Sequence, residues 1–221
     1  MPFNNYNGVE QTSTNSCGAF ALAAALDHIG HANYTNILDT ANLANGFTAA
    51  GPAAFAQSIY QITGCLNLGL NTATYQYEAP VEDMNPPSAL AYMAVQHGAN
   101  PANIMTRYNN AAMATFQAMN VTNPGGAPDL LNTEIGLINP PALGNIVGPT
   151  DYIALPVGGQ AQLLLVNDNA HWIAINSFQV YDPGTGFVGP YAADPGFTAF
   201  TYVFNGAPRS YTFSGLWIQL S

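Results

Sequence analysis

Residues 17–29 have helical spacing but almost no polar face, because Cys17, Phe20, Leu22, Leu26, Ile29 and a run of alanines nearly encircle the helix they would form. Such a helix cannot rest on a surface and has to be packed from all sides. Asn15 and Ser16 stand where a cap is expected, and Gly30 stands where the helix should stop. The chain's 221 residues suffice for one substantial core around this helix, and a second full core would be a squeeze.

The remaining segments divide by composition. Further helices are expected over 52–62, 86–97 and 109–119, two of them opened by proline in the first turn. After Pro149 the chain turns to Ile, Val, Tyr, Phe and Trp interrupted by Gly, Pro, Asn and Asp. Strands are expected there over 152–157, 161–166, 171–175, 179–182, 199–204 and 211–220. Helices first and antiparallel strands second make an α+β arrangement. The expected architecture is one domain of two lobes with a cleft between them, a helical lobe over about 11–148 and a β lobe over about 149–221.

Charge excludes several function classes. Only 6% of residues are charged, the cations are Arg107 and Arg209, and the formal net charge is -10. Nucleic acid and anionic lipid both call for a basic surface, so neither is an expected partner. No apolar run is long enough for a membrane span, and no basic segment followed by a hydrophobic stretch marks a secretory signal near Met1. There is no lysine, where average usage would give roughly a dozen. A compositional habit of the source accounts for that, as does selection against lysine to escape ubiquitin attachment in a eukaryotic cell or self-modification.

Cys17 opens the expected buried helix, where unpaired N–H groups and the helix dipole favour a thiolate, the form that attacks a carbonyl. Gln11 lies six residues upstream in a polar segment, so its amide and the Cys17 N–H can address an oxyanion. Gly18 leaves room beside the sulfur. Taken alone, a cysteine in such a helix reads more readily as a small buried hydrophobe, and it is the partner segment that shifts the balance. His171 opens a strand that is followed by Asn176-Ser177 and a second strand ending at Asp182. A two-residue turn at Asn176-Ser177 would pair Ile175 with Phe178 and set His171 directly opposite Asp182. A carboxylate there fixes the imidazole tautomer and leaves the other ring nitrogen free, the logic of a nucleophile, base and orienter.

Other candidates carry less. His28 and His31 fall at the end of the first helix, where an imidazolium complements the dipole, and His97 beside Gly98 reads as a cap. His28 and His31 lack the further ligands a metal needs, so neither metal nor cofactor is expected. Asp168 and Asp194 are rival orienters, the first on a different strand face and the second beyond a Gly/Pro-rich loop. Cys65 has no partner histidine nearby and reads as structural, and with two cysteines a disulfide framework is not expected. Trp172 is expected to pack beside His171 and shield it from water.

Gln11, Cys17-Gly18 with its apolar helix, Asn169-Ala-His171-Trp172 and Tyr181-Asp182-Pro183 together resemble the papain-like cysteine peptidases, most of all the bacterial branch related to bacteriocin-processing peptidases. The resemblance implies a glutamine-assisted oxyanion hole at Gln11, a nucleophile at Cys17 on the central helix, and His171 with Asp182 from a β lobe. The tryptophan that follows the cysteine in plant and lysosomal papains is missing, with Phe20 nearby instead, and the segment from about 27 to 149 aligns with no member.

The resemblance implies a thiol hydrolase acting on a peptide or isopeptide bond of a protein or peptide substrate. A protein-glutamine deamidase or transglutaminase-type bacterial effector would use the same residues, and a silent binding module is the non-enzymatic alternative. The missing lysine accords with delivery into a host cell, with a cytoplasmic location as the alternative.

Overall fold

The computed structural model describes residues 2–35, 37–38, 48–64, 85–108, 143–147, 154–167, 171–194 and 196–221. Cys65, Asp168, Asn169, the helix expected over 109–119 and the first two residues of the strand expected over 152–157 lie outside them. In chain order the helices are α1 (Cys17–His28), α2 (Pro52–Thr63) and α3 (Pro87–Gln96). The strands are β1 (Ile37–Leu38), β2 (Thr48–Ala49), β3 (Ile104–Tyr108), β4 (Asn145–Val147), β5 (Ala161–Val166) and β6 (His171–Ile175). They continue with β7 (Val180–Asp182), β8 (Phe187–Gly189), β9 (Ala192–Ala193), β10 (Ala199–Phe204) and β11 (Ala207–Leu220).

The apolar girdle of α1 has the expected consequence: every one of its residues is buried, including Asp27 and His28. α2 and α3 cover one flank and β5 and β6 the other. The helix stops in a Schellman motif. His31 N–H donates to Leu26 O at 2.8 Å and Gly30 N–H to Asp27 O at 3.1 Å, with Gly30 at φ 86°. Ser16 does not cap the start, contrary to expectation. Its hydroxyl turns back to Ser13, donating to the carbonyl at 3.0 Å and accepting from the N–H at 3.1 Å.

The main sheet runs β4-β3-β11-β5-β6-β7-β8, antiparallel except for the parallel β3–β4 pair. β5 lies between β11 and β6 with both faces covered. Its apolar run is therefore nearly continuous, with only Gln162 interrupting it. Between Phe213 and Trp217 the register of β11 on β5 shifts, and Gly215 there has φ 90°. Beyond this bulge the outer part of β11 pairs with β10. Phe200 and Tyr202 of β10 pack with Leu164, Val166, Ile173 and Trp217, making a second core on the face of the sheet away from α1.

The helix-and-sheet composition matches the α+β expectation, but the split at about residue 148 does not follow the elements. β3 and β4 come from the expected helical portion, and β3 is hydrogen-bonded to β11 near the centre of the sheet. Ile104-Met105-Thr106-Arg107-Tyr108 is a short connector-like stretch between helix-rich segments, and pairing with β11, with Ile104 and Thr106 buried on one face, makes it a strand. Residues 154–157 are not a strand; Leu155 and Val157 are exposed there.

Candidate active site

The N-terminal chain crosses the β7–β8 turn before it reaches α1. Gly8 N–H donates to Gly186 O at 2.7 Å, Gln11 N–H to Pro183 O at 2.8 Å, and the Tyr181 hydroxyl to Val9 O at 2.8 Å. These bonds set the segment carrying Gln11 and Cys17 beside Asp182-Pro183-Gly184. On the other side, the Trp172 N–H donates to Cys17 Sγ at 3.4 Å, tying the sulfur to the start of β6. Cys17 is 5% exposed and the His171 side chain 15%.

His171 and Asp182 meet, but not in the expected register. Ile175 pairs with Val180 and Ala174 with Tyr181, so the connection is four residues, closed by Asn176 N–H to Gln179 O at 2.9 Å. Continuing that register puts Gly184, not Asp182, across from His171. The error is two residues, an even number, so the face is preserved and Asp182 becomes the diagonal neighbour of His171. His171 Nε2 lies 2.8 Å from Asp182 Oδ1. Gly184 packs closely on this pair: a Cβ there would sit 3.4 Å from His171 Cε1 and 3.3 Å from Asp182 Oδ1, ordinary to slightly tight contacts.

Asp182 is fully buried and its carboxylate is surrounded by donors. Oδ1 accepts from His171 Nε2 and from Gly184 N–H, the latter at 2.8 Å. Oδ2 accepts from the Tyr202 hydroxyl and, at 2.5 Å, from the Tyr211 hydroxyl. Burial alone would push this carboxyl up. The hydrogen bond and charge of His171 and the two tyrosine hydroxyls overcome that and hold it at about 2. Burial likewise works against an imidazolium at His171, yet Asp182 and a hydrogen bond and charge from Cys17 raise it to about 9. With Nε2 committed to Asp182, Nδ1 is the nitrogen left for the sulfur. A cationic imidazole is the counter-ion a thiolate needs.

Gln11 lies next to this pair, but its Nε2 donates to the carbonyls of Ser13 at 2.8 Å and Thr14 at 3.0 Å. The space beside Gly18 is not open either. A Cβ on Gly18 would come within 2.6 Å of Asn85 Cβ and 3.0 Å of the Trp172 ring. Asn85 donates to Asn15 O at 2.6 Å and accepts from the Thr63 hydroxyl, clamping the loop ahead of Cys17. Trp172 thus covers the Cys17 side of the sheet, and the ring beside His171 is Tyr211, with centroids 5.6 Å apart.

The remaining candidates fall elsewhere. His28 is buried against Phe3, with centroids 5.5 Å apart, and burial lowers it, so it is a neutral core ring rather than an imidazolium on the helix dipole. His97 follows α3 as expected of a cap, packs edge-on against Phe55 and is lowered by burial too. Asp194 turns its carboxylate onto the Thr198 hydroxyl and Ala199 N–H and closes its own loop. Among the described residues no group of three or more His, Cys, Asp or Glu is placed to hold a metal ion.

Sequence reading missed Tyr202, Tyr211, Gly184 and Asn85. For the tyrosines a signal existed. Asn205 and Gly206, both with positive φ (51° and 78°), form the two-residue hairpin turn that Asn-Gly favours, pairing Phe204 with Ala207. That register makes Tyr202 and Tyr211 diagonal neighbours on one face. Nothing in either strand, however, points to Asp182. No family model, no curated protein and no solved structure matches this chain.

Proposed function

We propose that this chain is a thiol hydrolase acting on a peptide or isopeptide bond, with Cys17 as nucleophile, His171 as acid and base, and Asp182 as orienter. The observation that carries the reading is the continuous line from Cys17 through a raised His171 to a fully buried, fourfold hydrogen-bonded Asp182. Such a line brings a thiol, a raised imidazole and a fixed carboxylate together at one point.

The chemistry follows from the positions. Cys17 gives its proton to His171 Nδ1, and the sulfur adds to the substrate carbonyl. Ser16 leaves the start of α1 without a side-chain cap, so the Cys17 N–H serves the developing oxyanion. The Gln11 amide joins it once it turns from the carbonyls of Ser13 and Thr14. As the C–N bond breaks, His171 delivers its proton to the leaving amine and a thioester remains. Water, deprotonated by His171, releases the acid and restores the thiol.

Incubation of the full chain with a proteome-derived peptide mixture and with intact proteins tests this by mass spectrometry. New chain ends or released isopeptide-linked chains that vanish with Cys17→Ala are the expected result. Side-chain amides converted to acids without cleavage would replace hydrolysis of the chain by deamidation, and no cysteine-dependent product at all would overturn the enzyme assignment.

A further inference from the structure

Tyr202 and Tyr211 come from β10 and β11, on the same side of the sheet as Asp182 and away from α1, and both hydroxyls end on one carboxylate oxygen of Asp182. Aiming a buried phenol (Tyr202) and a half-buried one (Tyr211) at the same atom is not a packing necessity; phenylalanine fills nearly the same space. We propose that Tyr202 and Tyr211 are positioning residues that hold Asp182 as the ionised partner, so that the mobile proton of the pair stays on His171. The inference rests on the reading of His171 and Asp182 as base and orienter, and it assigns the tyrosines no contact with substrate.

Asp182 and His171 compete for a proton. A carboxylate removed from water and left with fewer donors becomes a stronger base. With His171 as its only charged partner it would draw the Nε2 proton toward itself, and the ring, left neutral, would hold its Nδ1 proton too tightly to pass it to a leaving amine. Two phenolic donors on Oδ2 weaken that basicity, while Gly184 N–H and His171 Nε2 occupy Oδ1. The groups facing the pair are Cys17 from α1, Tyr181 from β7, Tyr202 from β10 and Tyr211 from β11. The Tyr181 hydroxyl is spent on Val9 O. Among the described residues only Tyr202 and Tyr211 therefore send hydroxyls to the carboxylate.

The direction of the effect separates this role from simple packing. Losing a tyrosine donor harms the state with neutral His171 and a bare carboxylate more than the state with an imidazolium beside it. The alkaline titration of the pair therefore moves up in Tyr211→Phe and Tyr202→Phe, by about one pH unit each for a hydrogen bond to a charged group. Asp182→Asn moves it down, because burial then acts on His171 without the carboxylate.

The test is a nuclear magnetic resonance titration of the His171 ring in the full chain, assigned by its loss in His171→Ala. The wild-type midpoint is expected near 9. The two Phe variants should titrate higher and Asp182→Asn lower. Should a Phe variant fail to fold, 3-fluorotyrosine at position 211 keeps the shape, donates more strongly and lowers the midpoint instead. Phe or fluorotyrosine variants titrating at the wild-type midpoint would overturn the proposal. No substrate enters this measurement, so an unmoved midpoint with cysteine-dependent cleavage intact sinks only the tyrosine role. Shifted midpoints without any cleavage sink only the hydrolase.

Discussion

Cys17, His171 and Asp182 meet because each sits at an end: the first residue of α1, the first of β6 and the last of β7. A side chain at an element's end reaches past its own face, so His171 touches Asp182 on its own side of the sheet and Cys17 on the other. Replacing Asp182 by Asn removes the partner that keeps the ring cationic. Cysteine-dependent activity should then lose the upper part of its pH range, its alkaline limb falling from near 9 by one pH unit or more in kcat/KM profiles. Gly18 answers to space rather than charge. Gly18→Ala would drive a Cβ to 2.6 Å from Asn85, and overpacking of that kind costs about 1–3 kcal/mol, measurable as a lowered urea midpoint. These residue types were legible in the sequence. Their contacts were less so, since the Asp182–His171 pairing was reached through a turn two residues too short.

At the scale of elements, α1 was the most legible feature, because an apolar girdle admits only a central position. Strands β5, β6 and β10 begin and end where alternation and turn residues put them. β3 was not legible: five residues with a single arginine look like a connector until β11 supplies a partner 108 residues or more away in sequence from Tyr108. Ser16 looked like a cap, but its hydroxyl was claimed by Ser13, a local competition that residue type alone does not resolve. The central helix should carry much of the stability. Leu22→Ala, at a fully buried position, should cost about 2–5 kcal/mol in urea unfolding. Gly30→Ala, forced to keep φ 86°, should cost about 1–2 kcal/mol without touching the site.

At the scale of the whole molecule, a chain with 6% charged residues keeps a carboxylate and an imidazole in its interior, and pH should reveal them. His171 is raised, so its contribution to stability is complete below its ordinary value of 6.5 and is lost as pH climbs through about 9. Asp182 is lowered, so its contribution is complete above 3.8 and is lost as pH falls through about 2. The stability difference between wild type and His171→Ala should be flat from roughly pH 4 to 6.5 and shrink toward pH 9. The proposed chemistry needs His171 to activate the sulfur at the start of α1, and alkylation by iodoacetamide with mapping of the modified cysteine reads that directly. At neutral pH the expected result is rapid labelling of Cys17 ahead of Cys65, slowed by at least tenfold in His171→Ala. Labelling of the two cysteines at equal, slow rates, indifferent to His171, would contradict it.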